Sequence, residues 1–323
     1  MKAVTVVKNG VEISDVAKPT PKKNEVLIKV IACGLNRADL AVADGGAHGN
    51  AGGPGTIVGM EFSGEVVELG EDVNSLSIGD RVMCSGSSAW AEYAITDYGR
   101  VIKIPDNNMD FITASTLPIA LATMHNAIVT AGGFVKGQSI LIQGASSGVG
   151  LMGLQIAKSL KAKMIFGTST KPDKFHKLEQ LGADFVINSK DSNWSEEVLD
   201  KTNGVGVDLI IDQLSGYTIN QNMLATKIKG NIVNVGRLAG GPSEFNCDIH
   251  ALRRINYKGV TFRTRSLDEI RSVFANMWKD LGNLVSNGNL SMPIEKVYHF
   301  NDVSQALSHM RENKHFGKLI LQL

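Results

Sequence analysis

Residues 143–153 spell QGASSGVGLMG, and a literal G-x-G-x-x-G pattern falls on Gly148, Gly150 and Gly153. This pattern predicts a dinucleotide site only where it directly follows a strand and begins a helix. The apolar run SILIQ ends at Gln143, several residues before the literal match begins. A different alignment is therefore needed if this stretch is to bind a phosphate.

Aligned on the tripeptide GVG, the fingerprint positions become Ala145, Ser147 and Gly150. Gly150 then allows close packing of the helix against the sheet, and the helix N-terminus faces the pyrophosphate. We predict a phosphate loop over residues 145–150, with Gly153 inside the helix and serving its packing. An ordinary strand–turn–helix joint is the alternative.

The residues after the next predicted strand distinguish NADP from NAD. An NAD site usually has Asp or Glu about twenty residues after the glycines, accepting from the ribose 2′-hydroxyl. Here the strand KMIFG is followed by hydroxyl side chains and lysines, including Ser169 and Lys174. Hydroxyls and a cation favour a 2′-phosphate, which a carboxylate would repel. We predict NADPH as the cofactor; a solvated, lysine-rich helix start is the alternative.

The bulk composition is that of a globular protein. The 323 residues are 43% hydrophobic and 20% charged, with a formal net charge of +1. The length suggests about two domains, and the small net charge excludes an electrostatic footprint for nucleic acid or an anionic membrane. Cys33, Cys84 and Cys247 have no C-x-x-C spacing, so neither a zinc lobe nor a disulfide framework is expected. Without a signal-peptide pattern or an apolar run of about 20 residues, we expect a cytoplasmic protein.

The chain changes character near residue 117. Before it, short runs such as EVLIKVIACG (25–34) and FSGEVVELG (62–70) lie between glycine-rich turns, which predicts a compact barrel-like β domain. After it, strands of near-continuous Val, Ile and Leu alternate with helices, which predicts a parallel sheet covered on both faces. Among these elements we expect a helix near 217–228 and a strand GVTFRT at 259–264.

Several longer stretches, in this order along the chain, resemble one enzyme family. They are EVLIKVIACGLNRADL, GMEFSGEVVELGEDV, STLPIALATMHNAI, GQSILIQGASSGVGLMGLQIAK, NIVNVG and HFGKLIL. They are similar to the medium-chain dehydrogenase/reductase superfamily, specifically its zinc-free quinone oxidoreductase (zeta-crystallin-like) branch. The resemblance implies an α/β fold with two domains. One is a GroES-like, β-rich catalytic domain (1–116, completed by 265–323), and the other is a doubly wound Rossmann domain that binds NADP (117–264). It also implies a homodimer that pairs the Rossmann edge strands at 259–264.

The positions that would ligate zinc carry unsuitable side chains. The zinc branch of the superfamily would have a Cys where CGLNRADL has Asn36 and a His where GMEFSGE has Met60. An amide and a thioether do not replace a thiolate and an imidazole in a Zn²⁺ site of ordinary affinity. We therefore expect no metal and no metal-assisted alcohol oxidation.

Without a Lewis acid, the expected chemistry is hydride transfer from NADPH to a quinone or an α,β-unsaturated carbonyl compound, both already electrophilic. By resemblance, Asn36 and Thr123 lie near the nicotinamide ribose and ring. The residues expected along the pyrophosphate and the 2′-phosphate are Ala145, Ser146, Gly148, Val149, Gly150, Ser169, Lys174 and Ser189. Those expected to close over the nicotinamide amide are Val235, Gly236, Phe262 and Arg263.

Three assignments stay open. Relatives carry Tyr-Pro in the loop that here is GGAHGNAGG, so His48 is the nearest titratable proton donor, with protonation by solvent as the default. Arg237 either faces the phosphates or merely solvates a loop. The alternatives to this enzyme are a non-catalytic, structural or regulatory NADPH-binding protein and a reductase of activated ketones.

Overall fold

The structure is a computed structural model that describes residues 1–49, 51–105 and 108–323. Asn50, within the glycine-rich loop, therefore lies outside the described residues. The chain divides into two compact units: the first is Met1–Ile119 with Phe262–Leu323, and the second is Ala120–Thr261.

Strands and helices of the described residues are numbered in chain order. The strands are β1 (Lys2–Val7), β2 (Gly10–Asp15), β3 (Glu25–Gly34), β4 (Ala47–His48), β5 (Ala51–Gly52), β6 (Glu61–Leu69), β7 (Arg81–Ser85), β8 (Tyr93–Asp97), β9 (Val101–Lys103), β10 (Ser139–Ile142), β11 (Met164–Ser169), β12 (Phe185–Asn188), β13 (Val207–Asp212), β14 (Thr226–Asn234), β15 (Asn256–Gly259), β16 (Ile294–His299) and β17 (Lys318–Gln322). The helices are α1 (Arg37–Ala43), α2 (Phe111–Ala114), α3 (Pro118–His125), α4 (Gly148–Ser159), α5 (Phe175–Gln180), α6 (Trp194–Lys201), α7 (Ile219–Ala225), α8 (Cys247–Arg253), α9 (Leu267–Ser286) and α10 (Val303–Glu312).

The first unit is built on a sheet of order β16-β17-β3-β6-β7-β9, with β8 also paired to β3. The C-terminal strands enter this sheet because β17 pairs antiparallel with β3, while β16 runs parallel to β17. The long strand β3 carries Val26, Leu27 and Ile28, all fully buried. Apolar contact on both sides of β3 therefore holds the sheet together.

Helix α9 begins at a capping box. The Ser266 Oγ atom accepts the Glu269 N–H at 3.3 Å, and Glu269 Oε2 accepts the Ser266 N–H at 2.8 Å. Two helix-start donors are thereby satisfied. One turn later Arg271 makes a bidentate pair with Asp97, at 3.0 Å from Nε to Oδ1 and 2.7 Å from Nη2 to Oδ2. This pair attaches α9 to the end of β8.

The second unit holds a parallel sheet of order β12-β11-β10-β13-β14-β15. Its strands are apolar on both faces, as in β10, where Ile140, Leu141 and Ile142 are fully buried. The direction of strand order reverses between β10 and β13. In a doubly wound sheet a ligand binds at the carboxyl ends of the strands beside such a reversal. The predicted fold class, with a GroES-like unit and a Rossmann sheet, is confirmed by this architecture.

Two predicted elements differ from the structure. The prediction of a strand at 259–264 is wrong. The edge strand is β15, which pairs with β14 and ends at Gly259. The last ladder bond runs from Val260 N to Asn234 O at 2.9 Å, and β14 ends at that Asn. The β-branched residues of GVTFRT favour a strand locally, but they lie beyond the end of the partner strand.

The helix expected near 217–228 is shorter at both ends. Helix α7 ends at Ala225 because Thr226 takes an extended conformation, with φ −84° and ψ 136°, and begins β14. Thr226 then pairs with Val207 of β13. Sheet pairing therefore determines where this helix stops.

One helical stretch, Phe111–Ala131, is long and apolar enough by length and composition alone to cross a membrane. Of the 18 most apolar consecutive residues in this stretch, 72% are buried. Such burial is the behaviour of an interior helix in a globular fold.

Candidate functional site

The phosphate loop lies between β10 and α4. Gly144 has φ 67°, a left-handed conformation that favours glycine, and turns the chain at the end of the strand. Ser147 is the N-cap of α4, and its Oγ accepts the Gly150 N–H at 3.1 Å. The 12-residue helix therefore begins at Gly148 with one donor capped and its remaining amides available to an anion.

The space around the glycines distinguishes the two possible alignments. A Cβ atom at Gly150 would lie 2.6 Å from Gly144 O and 2.7 Å from Ala145 Cα, so a side chain there collides with the loop backbone. A Cβ atom at Gly153 would meet Met124 Sδ at 3.1 Å, the end of a flexible side chain. Gly150 is thus the position where helix and loop approach most closely, and Gly153 packs within the helix interior.

Side-chain amides and hydroxyls at the ends of neighbouring strands hold the phosphate loop through hydrogen bonds. Thr168 Oγ1 donates to Gln143 Oε1 at 2.6 Å and accepts the Gly144 N–H at 3.0 Å. Gln213 Nε2 donates to Gln143 O at 3.0 Å, and Ser147 Oγ lies 3.0 Å from Gln213 Oε1. These bonds join the carboxyl ends of β10, β11 and β13, which fixes the loop before any ligand arrives.

Apart from Thr123 and the phosphate loop itself, the predicted cofactor residues of the second unit lie at or after the carboxyl ends of β11, β12 and β14. Ser169 Oγ lies 3.2 Å from Ser146 Oγ, so the two hydroxyls adjoin. Lys174 follows in the turn before α5 and is only 5% exposed, and Ser189 follows β12 and is only 2% exposed. Strand ends of a parallel sheet meet at one edge, so the fold gathers these groups beside the loop.

Val235 and Gly236 follow β14 and are held by the end of β13. Asp212 O accepts the Val235 N–H at 2.7 Å, and a Cβ at Gly236 would lie 2.5 Å from Gln213 O. The Arg237 guanidinium lies 3.4 Å from Val235 O, a bond to its own loop. Glycine at 236 is therefore needed for the close approach of two strand ends.

These features fit a nicotinamide dinucleotide. The loop leaves a space that a Cβ atom at Gly150 would fill, and it leads into the N-terminus of α4. Ser169 occupies the position where an NAD site usually has a carboxylate. Half-buried Gly148 and Val149 lie on the first turn of α4, where a pyrophosphate would be bound.

The first unit contains a buried polar cluster centred on Asn36. Lys318 Nζ donates to Asn36 Oδ1 at 2.7 Å, to Glu61 Oε2 at 2.5 Å and to Leu35 O at 3.2 Å. Asn36 Nδ2 donates to Glu61 Oε2 at 3.0 Å and to Gly34 O at 3.2 Å. Glu61 is fully buried and Lys318 only 4% exposed, whereas Asn36 is half-buried. Asn36 is therefore the outward end of a charged network.

Asp39 belongs to the same cluster and is fully buried. Its Oδ2 accepts the backbone N–H of Asn36 at 2.7 Å. Burial raises the pKa of Asp39 from 3.8 to about 7, and the hydrogen bond from Asn36 and the charge of Lys318 only partly oppose it. Near neutral pH this carboxyl is therefore divided between its two protonation states.

The remaining predicted residues are Thr123 in the second unit and His48, Phe262 and Arg263 in the first. Thr123 is half-buried in α3. Phe262 belongs to the first unit and packs edge-on against Phe274, with ring centroids 6.5 Å apart. His48 is half-buried in β4, and burial followed by the charge of Arg263 lowers the pKa of this histidine. A neutral imidazole is a weak proton donor, which favours solvent over His48 as the source of the proton.

The chemistry of the described side chains does not favour a metal. Over residues 1–49, 51–105 and 108–323, no group of three or more His, Cys, Asp or Glu side chains is arranged to hold an ion. Burial raises the pKa of the Cys33 and Cys84 thiols well above 9.0, so both stay protonated. At Asn36, where the zinc branch would have a ligand, the amide is bonded to Lys318 and Glu61.

Glu61, Lys318 and Asp39, which surround Asn36, were not predicted from the sequence. A signal existed, because Glu61 and Lys318 are single charges within the apolar strand sequences GMEFSG and GKLILQL. A lone charge in a buried strand implies a buried partner. Which partner it has depends on the pairing of β17 with β3, and no local pattern contains that information.

Known protein families match both units. A family described as alcohol dehydrogenase GroES-like domain matches residues 22–106, and one described as zinc-binding dehydrogenase matches residues 148–283. The quinone oxidoreductase of Sus scrofa is 31% identical over 338 aligned positions, covering 100% of this chain and 98% of that protein.

Enoyl reductase and polyketide synthase relatives also match. The low-reducing polyketide synthase drtA of Aspergillus calidoustus is 28% identical over 94% of this chain, which spans 13% of the length of that synthase. The crystal structure of CurK enoyl reductase superposes with a TM-score of 0.88 at 25% identity, covering 99% of this chain and 98% of the other.

Family membership follows from the full-length match to a quinone oxidoreductase, the GroES-like and Rossmann units, and the side chains at the zinc-ligand positions. Members of this family bind a nicotinamide cofactor. The predicted resemblance is thereby confirmed, and the chain belongs to the zinc-free medium-chain dehydrogenase/reductase family of oxidoreductases that includes the quinone oxidoreductases.

Proposed function

We propose that this protein is an NADPH-dependent, zinc-independent reductase of quinones or of the activated C=C bond of α,β-unsaturated carbonyl compounds. The observation that carries the proposal is the set of side chains that lie beside the phosphate loop and after β11. Ser146 and Ser169 adjoin there, Lys174 follows in the next turn, and Ser169 stands where an NAD site has a carboxylate. A 2′-phosphate would be bound by hydroxyl donors and by a cation that is 5% exposed.

When bound, NADPH supplies the hydride. The residues of this chain bind and orient: the amides at the start of α4 hold the pyrophosphate, and Gly150 lets the helix approach the loop. Val235 and Gly236 meet the carboxamide through backbone groups. Placing the acceptor in a water-poor site beside a fixed nicotinamide supplies the rate enhancement by proximity and orientation.

The acceptor needs no Lewis acid. Hydride addition to the β-carbon of an enone gives an enolate, and addition to a quinone gives a hydroquinone anion, and each then takes a proton. We assign this proton to water, because the lowered pKa of His48 leaves its imidazole neutral near pH 7. Reduction of an unactivated ketone would give an alkoxide, which is much harder to stabilise without a metal.

The relatives support both acceptor classes, because they include quinone oxidoreductases and an enoyl reductase. Product analysis with NADPH and each acceptor distinguishes them: a saturated ketone indicates C=C reduction, a hydroquinone indicates quinone reduction, and an allylic alcohol indicates carbonyl reduction. Tight NADPH binding without turnover of any acceptor would instead support a non-catalytic binding protein.

We also propose a homodimer formed through β15. This strand ends the sheet order, so its outer edge has no partner strand within the described part of the chain. An unpaired edge is a ready site for pairing with a second copy. Sedimentation equilibrium should give twice the mass of one chain; the mass of a single chain at micromolar concentration would contradict the dimer.

A further inference from the structure

Ser215 has a backbone conformation that is ordinarily restricted to glycine. It lies in the loop after β13, with φ 56° and ψ −147°, and the residue is only 3% exposed. A residue with a Cβ atom is strained in this region, and such strain persists only where the surrounding contacts fix the backbone. The contacts that surround Ser215 must therefore outweigh the strain.

Hydrogen bonds within its own loop hold the Ser215 backbone. Asp212 Oδ1 accepts the Leu214 N–H and the Ser215 N–H, each at 2.9 Å. Ser215 O accepts the Thr218 hydroxyl at 2.9 Å and the Thr218 N–H at 3.2 Å. Asp212 and Thr218 are both fully buried, so these bonds are shielded from water. They keep the residue in its strained conformation.

The Ser215 hydroxyl joins this loop to the residues at the end of β14. Its Oγ donates to Gly236 O at 2.8 Å and accepts a hydrogen bond from Asn234 Nδ2. The hydroxyl thus uses its single O–H as a donor and one lone pair as an acceptor. These two partners are the neighbours of Val235 on either side in the chain. One side chain therefore fixes the backbone before and after Val235.

Gln213, two residues earlier, contacts the phosphate loop. Its Oε1 lies 3.0 Å from the Oγ of Ser147, the N-cap of α4, and its backbone O accepts the Leu238 N–H at 3.1 Å. Residues 213–215 are therefore bonded both to the loop that begins α4 and to residues 234–238. All of these residues belong to the second unit. Two separate loops at the carboxyl edge of the sheet are thereby held by one short segment.

We propose that Ser215 is a positioning residue that holds residues 234–236 in a fixed place relative to the phosphate loop. Under the proposed function, on which this inference rests, the backbone of residues 235 and 236 meets the nicotinamide carboxamide. Ser215 then sets the position of the nicotinamide half of the cofactor, whereas the adenosine half meets the phosphate loop and the groups after β11. Loss of the Ser215 hydroxyl should weaken the binding of the nicotinamide half alone.

The test compares alanine with glycine at position 215. Ser215→Ala removes the hydroxyl and keeps the Cβ atom, whereas Ser215→Gly removes the hydroxyl and also relieves the strain. Each variant is titrated by calorimetry with NADPH and with 2′,5′-ADP, which lacks the nicotinamide nucleoside. Thermal unfolding of each variant is measured in parallel.

Ser139→Ala is the matched control. Ser139 is 4% exposed, and its hydroxyl also joins two strands, since Oγ donates to Asp208 Oδ2 at 2.8 Å and accepts the Asp208 N–H at 3.1 Å. It is the first residue of β10, at the edge of the sheet opposite the phosphate loop. This variant should lower the unfolding temperature and leave the affinity for both ligands within about twofold of wild type.

We expect both substitutions of Ser215 to weaken NADPH binding about tenfold and to leave 2′,5′-ADP within about twofold of wild type. Ser215→Gly should unfold at a higher temperature than Ser215→Ala, because it lacks the strain, and yet bind NADPH no better. A merely structural role predicts that NADPH affinity recovers together with stability in Ser215→Gly. Such a recovery would overturn the proposal, and so would NADPH affinity within about twofold of wild type in Ser215→Ala or an equal loss for both ligands.

Amide hydrogen exchange in the cofactor-free protein tests the positioning independently of the proposed function. The backbone of residues 235–238 donates to Asp212 O and Gln213 O, so both substitutions of Ser215 should speed exchange there about tenfold. The amides of Gly144 and Gly150 in the phosphate loop should keep their rates. Unchanged rates at residues 235–238 would overturn the positioning. Faster exchange there, with a wild type that binds neither NADPH nor 2′,5′-ADP, would support the positioning and overturn the proposed function.

Discussion

The backbone N–H of Asn36 donates to Asp39 Oδ2 over 2.7 Å, while the other carboxyl oxygen of Asp39 is buried and has no hydrogen-bond partner in the described part of the chain. A half-satisfied carboxyl in a dry interior resists ionisation, which explains why burial raises the pKa of Asp39 to about 7. The cluster behind Asn36 therefore includes one group that costs stability when it is charged.

The pH dependence of stability should reveal Asp39. The pKa of this carboxyl is 3.8 when unfolded and about 7 when folded, so the folded state holds the proton more tightly. Raising the pH from about 4 to 7 should therefore lower the free energy of unfolding, by about 1.4 kcal/mol per pH unit at most.

Asp39→Asn keeps an oxygen for the Asn36 N–H and removes the titration. We expect its stability gain over wild type to be larger at about pH 8 than at about pH 5, by on the order of 2 kcal/mol. Denaturation midpoints of both proteins at the two pH values measure the difference. An equal gain at both would show that Asp39 does not titrate in this range.

Two of the three glycines of the literal fingerprint, Gly150 and Gly153, should respond differently to alanine. Gly150→Ala places a methyl group 2.6 Å from Gly144 O, so the loop must move, and we expect a loss of about 1–3 kcal/mol in stability together with weaker NADPH binding. Gly153→Ala meets Met124 Sδ at 3.1 Å and Ile142 Cδ1 at 3.4 Å, both at the ends of side chains, and alanine gains about 1 kcal/mol of helix propensity, so its net effect should be small. Thermal unfolding and NADPH titration of both variants check this. Equal effects would contradict the alignment on GVG.

Cofactor preference should depend on Lys174. A charge-assisted bond to a 2′-phosphate is worth about 1.5–3 kcal/mol, so Lys174→Ala should weaken NADPH binding at least tenfold and leave NADH nearly unchanged. Lys177→Ala is the control, since this lysine is exposed on α5. Binding constants for both cofactors measure the effect. Losses of the same size for NADPH and NADH would remove the 2′-phosphate assignment.

Metal removal should leave the enzyme active. The Asn36 amide is bonded to Lys318 and Glu61, and Met60 replaces an imidazole, so these positions offer no Zn²⁺ ligands. We expect prolonged chelator treatment to change kcat/KM by less than about twofold, with no gain from added Zn²⁺. Activity that falls on chelation and returns with Zn²⁺ would refute metal independence.

The parts of the site that were predicted from sequence are those with local signals. The phosphate loop follows from a buried apolar strand, a short glycine-containing turn and a helix, all within about twenty residues. The edge strand was misplaced because GVTFRT has high strand propensity, whereas the observed strand Asn256–Gly259 is specified by its partner β14.

The buried ion pair was not predictable in the same way. Lys318 and Glu61 are 257 residues apart in sequence, and they meet only because β17 pairs with β3 and β3 with β6. Their charges stood out in apolar strands, but the Asn36 amide that both of them contact could be identified only in three dimensions. Tertiary pairing, and not local composition, determines this part of the site.

The proposed activity of this protein is hydride transfer from NADPH to an activated acceptor without a metal. Its most direct measurement is the oxidation of NADPH, followed at 340 nm, by chelator-treated protein with a panel of 1,4-quinones and enones. We predict saturable turnover at least about tenfold above the uncatalysed rate with at least one acceptor class, and a slower reaction with NADH. Background rates with every acceptor, from protein that binds NADPH tightly, would contradict the claim.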